Sequence, residues 1–318
     1  MPTLVNQPTR PYRSATIDSR RWDGFRPRQG DIVVATYPKC GTTWMQRIVD
    51  LLLHQSPAPR QFNDAAPWLD ATFFAPVEQD LATLEALTGR RQMKSHMPLD
   101  SLPVYEGVKV VHVVRDGRDA CISMHNHMLG FVPHMRELIV QAAASDGMDA
   151  GPGRIETPED PRAFFLGWMA AAEAEPPGPD LPFFAFEESY WRRRTEPWLL
   201  FVHYNDLKAD LVGEMRRISE FLEIDTPETV LPTLAEAARF ETMKRQGDEM
   251  LPKLRLAFDR GADRFINAGT NGRWKAFLTE ADIARYEALA EHKLGPALRA
   301  YVEHGRRIAG DPRVLADA

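Results

Sequence analysis

Short apolar runs alternate with longer amphipathic ones along this chain, and that alternation sets the expected architecture. Residues 31–37 read DIVVATY, an apolar, β-branched run of the kind that forms a buried strand. From 43 to 55 the apolar positions Trp44, Ile48, Leu51 and Leu52 recur at helical spacing. Further strand candidates are 92–95, 108–114 and 198–203. Helical patterns cover 78–87, 118–128, 163–174 and 206–222, and 225–300 reads as largely helical with a glycine-containing loop at 261–273. Pro57, Pro59, Pro67 and Pro76 make 56–77 mostly loop, and the prolines of 175–182 make another. Residues 141–160, rich in Ala, Gly, Pro and Asp, read as a flexible insertion. Residues 1–30 read as an irregular arm, 31–305 as one domain and 306–318 as a tail. Strands alternating with helices predict a single α/β domain with a central parallel sheet flanked by helices. In such sheets ligands bind beyond the carboxyl ends of the strands, so the strand-to-helix turns are where chemistry is expected.

Composition narrows the partners. The chain has 318 residues and a net charge of −6, with 44% hydrophobic and 26% charged residues. That is an ordinary globular composition, and its acidity argues against general nucleic-acid binding. Two cysteines, Cys40 and Cys121, cannot build a disulfide framework. No apolar stretch is long enough for a membrane span, and 1–30 lacks the apolar core of a signal peptide. A cytoplasmic protein with small-molecule partners is expected.

The turn at 37–44 reads YPKCGTTW. Gly41 permits a tight backbone, and the amides that follow sit at a helix N-terminus, where free N–H groups and the dipole attract an anion. Thr42 and Thr43 add hydroxyls, and Lys39 adds a positive charge. This is a phosphate or sulfate cradle without the Walker A order, because Lys39 precedes Gly41. The bland alternative is a helix start with a surface lysine. The second turn follows VVHVV and reads Arg115-Asp116-Gly117-Arg118-Asp119. Arg115 can fork onto a phosphate, with Ser123 two helical turns on; Arg118 and Asp119 are expected to pair with each other. A lone histidine such as His96 is more often structural than catalytic. His125 and His127 are two apart and so make a poor metal pair on a helix, and neither cysteine has a CxxC partner; no metal is expected.

Residues 36–44, TYPKCGTTW, resemble the 5′-phosphosulfate loop of the cytosolic-type sulfotransferases, usually TYPKSGTTW, with Cys40 the one departure. The resemblance implies a P-loop-like fold and 3′-phosphoadenosine 5′-phosphosulfate (PAPS) as donor, with the bisphosphate PAP as product. Further along, KSHMPL at 94–99 is similar to the segment in which the family's His is general base, which implies that role for His96 with Lys94 and Lys39 assisting. Arg115, Asp119 and Ser123 match the 3′-phosphate motif, Tyr204 a cofactor-contacting tyrosine and Phe240 an adenine-stacking aromatic. The resemblance thus implies donor contacts from Lys39, Cys40, Gly41, Thr42, Thr43, Trp44, Arg115, Ser123, Tyr204 and Phe240. The same holds for Asn267, Ala268 and Gly269, where the family usually carries Arg-Lys-Gly; losing two cations weakens the expected hold on the 3′-phosphate. Arg239, Arg264 or Arg273 are the candidates to compensate. The family dimer motif fits poorly, since Glu280 and Ala284 replace Val and Glu, which leaves a homodimer open. The implied activity is sulfuryl transfer to a hydroxyl of a small apolar or aromatic acceptor. Loops 60–80, 129–160 and 240–262, with Phe62, Trp68, Phe73, Phe74 and Phe131, would form its pocket. Alternatives are a nucleotide-dependent small-molecule kinase and a non-catalytic nucleotide-binding protein. Cys40, at a helix N-terminus beside Lys39, is expected to have a lowered pKa and to react with alkylating reagents, with PAP protecting it.

Overall fold

The computed structural model describes residues 2–61, 66–145, 157–174 and 182–316. At its centre four parallel strands lie in the order β3-β2-β5-β6. These are β2 (Ile32–Thr36), β3 (Gln92–Ser95), β5 (Lys109–Val114) and β6 (Leu199–His203). A separate two-stranded pair joins β1 (Leu4–Asn6) to β4 (Val104–Tyr105). Every residue of β2 is buried, because both faces of the sheet are covered. Val33 and Ala35 face one core layer, while Ile32 and Val34 face the other.

The helices fill those two layers. α1 (Thr42–His54) turns Met45, Ile48, Val49 and Leu52 onto the second layer. α2 (Val77–Ala86), α3 (Gly117–Leu129), α4 (Pro133–Ser145), α5 (Pro161–Glu173) and α6 (Phe183–Trp191) follow in order. The expected single helix at 206–222 is two, α7 (Tyr204–Ala209) and α8 (Leu211–Phe221). Asp210 breaks it: its backbone leaves the helical region and its side chain accepts the Gly213 amide, capping α8. Residues 141–145, expected as part of a flexible insertion, are the end of α4; 146–156 and 175–181 lie outside the described residues. The glycine-containing loop expected at 261–273 begins as a helix, Gly261–Phe265. The arm at 1–30 is less irregular than expected. It carries β1, and its Trp22 and Phe25 are buried in the first core layer. The tail likewise starts as a short helix, Arg306–Ala309.

Strand order positions the site. β3 lies on one side of β2 and β5 on the other, so the chain leaving β2 and the chain leaving β5 open a crevice between them. The turn at 37–41 and the turn at 115–116 both empty into it.

Candidate active site

The turn after β2 is unusual in backbone as well as sequence. Lys39 has φ +70° and Gly41 φ +114°, both in the left-handed region. Glycine is required at 41 on two counts, since an L-residue there would be strained and its Cβ would lie 3.1 Å from the Tyr204 ring. No side chain caps α1, so its first amides are left to face the crevice. Thr36 Oγ1 and Thr42 Oγ1 are 2.6 Å apart and tie the strand end to the helix start.

The neighbouring strand end presents His96. Its Nδ1 lies 2.7 Å from the Thr36 carbonyl, an acceptor only, so Nδ1 carries the proton and donates it. Nε2 is therefore the nitrogen with the free lone pair. The His96 amide donates to Asp70 Oδ2 at 2.8 Å, and the Trp68 indole donates to the same oxygen at 2.7 Å. Trp68 then meets His96 edge-on at 5.0 Å and lies under the Lys94 ammonium at 3.9 Å. Burial, then Lys94 and Lys39, hold His96 well below the ordinary histidine pKa, so the ring is neutral at physiological pH. Burial, then repulsion from Lys94 and Arg115, brings Lys39 down to about 7. Burial brings Lys94 to about 8, opposed by the Asp70 carboxylate. A neutral imidazole beside two cations whose charge is costly without an anion is a site made for an anionic ligand and a proton acceptor.

All the expected site residues except Cys40 line one cavity of about 1590 Å³. Lys39, Gly41, Thr42, Thr43 and Trp44 come from the first turn, and Arg115 and Ser123 from the second. Tyr204, Phe240, Asn267, Ala268 and Gly269 close it from the C-terminal half. Arg115 is the hub of these segments. Its guanidinium donates to Asn271 Oδ1 at 2.8 and 3.1 Å, to the Thr270 carbonyl at 3.0 Å and to the Lys39 carbonyl at 3.2 Å, and it stacks on Tyr204 at 4.3 Å. Trp44 meets Tyr204 edge-on at 5.1 Å and donates its indole N–H to the Ala238 carbonyl. Trp68, Phe73, Phe74 and Phe131 line the same cavity, while Phe62 lies outside the described residues.

Several expectations need correcting. Cys40 is fully buried in the first core layer, and burial, with Glu187 nearby, pushes its thiol well above the usual range. Helix-end and lysine charges do not lower it, because no solvent supports the thiolate. Arg118 pairs with Asp116 at 2.7 Å rather than with Asp119. Asp119 instead accepts the Gly272 amide at 2.9 Å on both oxygens and so pins the 267–272 loop. Of the three candidate replacement cations, Arg264 pairs with Asp259 and Asn126. Arg239, its guanidinium paired to Glu236, and Arg273 both line the cavity. Lys208, which was not anticipated, also lines it and donates to the Gly269 carbonyl at 2.6 Å. A signal for it exists: Lys208 is four residues beyond Tyr204, hence on the same face of α7. His127, considered in the sequence only as half of a metal pair, also lines the cavity, four residues beyond Ser123 on α3. Asp70 has no sequence signal; it is one acidic residue in a loop.

The comparisons with known proteins agree with this geometry. The Sulfotransferase domain matches residues 29–297. A glycolipid sulfotransferase of Mycobacterium bovis (strain BCG / Pasteur 1173P2) is 31% identical, covering 93% of this chain and 94% of that protein. Sulfotransferase 1B1 of Mus musculus is 26% identical, covering 87% of each. Among solved structures, retinol dehydratase in complex with androsterone and inactive cofactor PAP superposes with a TM-score of 0.67 at 21% identity, covering 87% of this chain and 86% of that one. A mouse sulfotransferase, SULT7A1, complexed with PAP gives 0.63 at 21% identity, covering 88% and 90%. Among the described residues no cluster of His, Cys, Asp and Glu could hold a metal ion, and no helix is long and apolar enough to cross a membrane. With the family domain spanning most of the chain and the cradle built as above, this protein belongs to the sulfotransferase family and is a PAPS-dependent sulfotransferase.

Proposed function

We propose that the protein sulfates a hydroxyl on an amphiphilic acceptor, with His96 as general base. The observation that carries this reading is the His96 tautomer. The Thr36 carbonyl takes the Nδ1 proton, which leaves the Nε2 lone pair in the cavity shared with Lys39 and Lys94. PAPS supplies an activated sulfuryl group on a phosphate leaving oxygen. The amides at the start of α1, with Thr42 and Thr43, hold the 5′-phosphosulfate. His96 Nε2 takes the acceptor's hydroxyl proton as the new O–S bond forms. Lys39 stabilises the charge that collects on the phosphate oxygen as its bond to sulfur breaks, and Lys94 the charge on the passing sulfuryl oxygens. Arg115 and Ser123 hold the 3′-phosphate, with Lys208 and Arg273 standing in for the pair replaced by Asn267 and Ala268. Trp44, Tyr204 and Phe240 receive the adenine.

The acceptor reading rests on the cavity's apolar lining. Phe74 and Leu256 belong to it and are 62% and 73% exposed, so it continues to the outside. A hydroxylated head on a hydrocarbon tail fits that shape better than a compact phenol, and the relative of greater than 30% identity cited above is a glycolipid sulfotransferase. Two free thiols buried in the core support a cytoplasmic location. The test pairs rate with binding. His96→Ala should lower kcat with PAPS and an alkyl glycoside by about 10²- to 10⁴-fold while calorimetry shows PAP affinity kept. A variant at the wild-type rate would refute the base assignment. ATP binding with PAP excluded would refute the donor site.

A further inference from the structure

Two imidazoles of the cavity, His127 and His134, are not used by the chemistry above, and His127 is the one in contact with Lys39. His127 sits on α3 one turn after Ser123 and lines the same cavity as His96. Its Nδ1 lies 3.2 Å from Lys39 Nζ. When Lys39 is charged its ammonium can only donate, so Nδ1 is then the accepting nitrogen and the ring proton sits on Nε2. The ring packs among Phe131, Phe258 and Phe265, with centroids 4.9, 4.8 and 5.6 Å away. Burial, then the charges of Lys39 and Lys94, keep it neutral. The two histidines are thus wired oppositely. His96 donates through Nδ1 and offers a lone pair, whereas His127 accepts through Nδ1 and offers an N–H. Each feels the cations Lys39 and Lys94, so they belong to one electrostatic neighbourhood.

We propose that His127 is a specificity residue that donates its Nε2–H to a second oxygen of the acceptor head, beside the hydroxyl that His96 deprotonates. The site therefore selects polyol or sugar heads over isolated alcohols. This inference rests on the acceptor reading above and sharpens it. An aromatic box holding a single N–H donor penalises a ligand that leaves the donor unpaired, and it rewards one that brings an oxygen.

The test uses the full chain and two acceptors of equal tail, octyl glucoside and 1-octanol. The readout is the ratio of their kcat/KM values, because any effect of losing the Lys39 partner divides out. His127→Phe, which keeps a flat ring without nitrogens, should lower the glucoside-to-octanol ratio roughly tenfold, the equivalent of about one hydrogen bond. His127→Gln, whose amide N–H reaches a similar position, should hold the ratio within about threefold of wild type. A ratio that moves less than twofold in His127→Phe, or falls equally in His127→Gln, overturns the proposal. Imidazole ¹⁵N spectra of the ligand-free protein at pH 6, where Lys39 is charged, give a readout that needs no acceptor. They should show the proton on Nε2 of His127 and on Nδ1 of His96; a proton on Nδ1 of His127 overturns the proposal. If wild type binds PAP but sulfates neither compound, the acceptor reading itself falls while the spectra still judge the tautomer.

Discussion

Asp70 touches no substrate-facing atom, yet it supports two groups that do. Its carboxylate accepts the His96 amide and the Trp68 indole, and it opposes the burial that drives Lys94 down to about 8. Asp70→Asn removes that charge and keeps the shape. An opposite charge at contact range moves a pKa by about one to three. Taking the low end, the Lys94 midpoint in the variant is roughly 7. At pH 8 the charged fraction of Lys94 then falls from about one half to about one tenth, whereas at pH 6.5 it changes by only about a quarter. The kcat/KM for PAPS reports the free enzyme, in which these values apply. The sign follows from the charge required. Catalysis needs the ammonium, so activity is lost as pH rises through the lysine pKa, and a lower pKa brings that loss to lower pH. The ratio of wild-type to variant kcat/KM should therefore grow roughly fourfold between pH 6.5 and pH 8. Loosening of His96 adds a factor that does not vary with pH, and the weaker repulsion from a less charged Lys94 raises Lys39 in the variant, which offsets only part of this growth. Initial rates with PAPS varied across this range decide the matter. A ratio that stays constant would show that Asp70 does not sustain the Lys94 charge.

Three further outcomes follow from the geometry. Gly269 has φ +61°, and a Cβ there would lie 2.3 Å from Phe240, so Gly269→Ala should displace that ring and raise the PAP dissociation constant roughly tenfold by calorimetry, about 1.4 kcal/mol. Native protein treated with iodoacetamide at pH 7.5 should keep its activity, and mass spectrometry should find Cys40 unmodified until the chain is unfolded, because the thiol is buried and held neutral. Asp119→Ala should release the Gly272 amide it holds, so that this amide exchanges with deuterium faster while the amides of β5 stay protected.

The sheet was legible because β2, β5 and β6 are mostly apolar, β-branched or aromatic runs bounded by turn residues, and all four strands, the polar β3 included, fall within a residue or two of the expected span. The crevice was legible because strand-to-helix turns carry their chemistry in consecutive residues such as 37–44. Three kinds of feature were hidden. Asp210 splits a continuous amphipathic pattern through a side-chain cap that competes with the helix, and periodicity does not register it. Cys40 has the neighbours of a reactive thiol but points into the core, and that direction comes from tertiary packing. Asp70, Lys208 and His127 act through contacts with residues distant in sequence or one helical turn from a motif. No contiguous pattern marks them.

Arg115 reaches Thr270 and Asn271, Asp119 reaches Gly272, and Asn271 bonds in turn to Asn205. Both anion-binding turns are therefore translated long before the segment that fastens them together. Until residue 272 is made, a chain that already holds β6 has a guanidinium held only by the Lys39 carbonyl and the Tyr204 ring. A chain cut short between residue 210 and that loop holds every N-terminal signature residue and still lacks the closed nucleotide site.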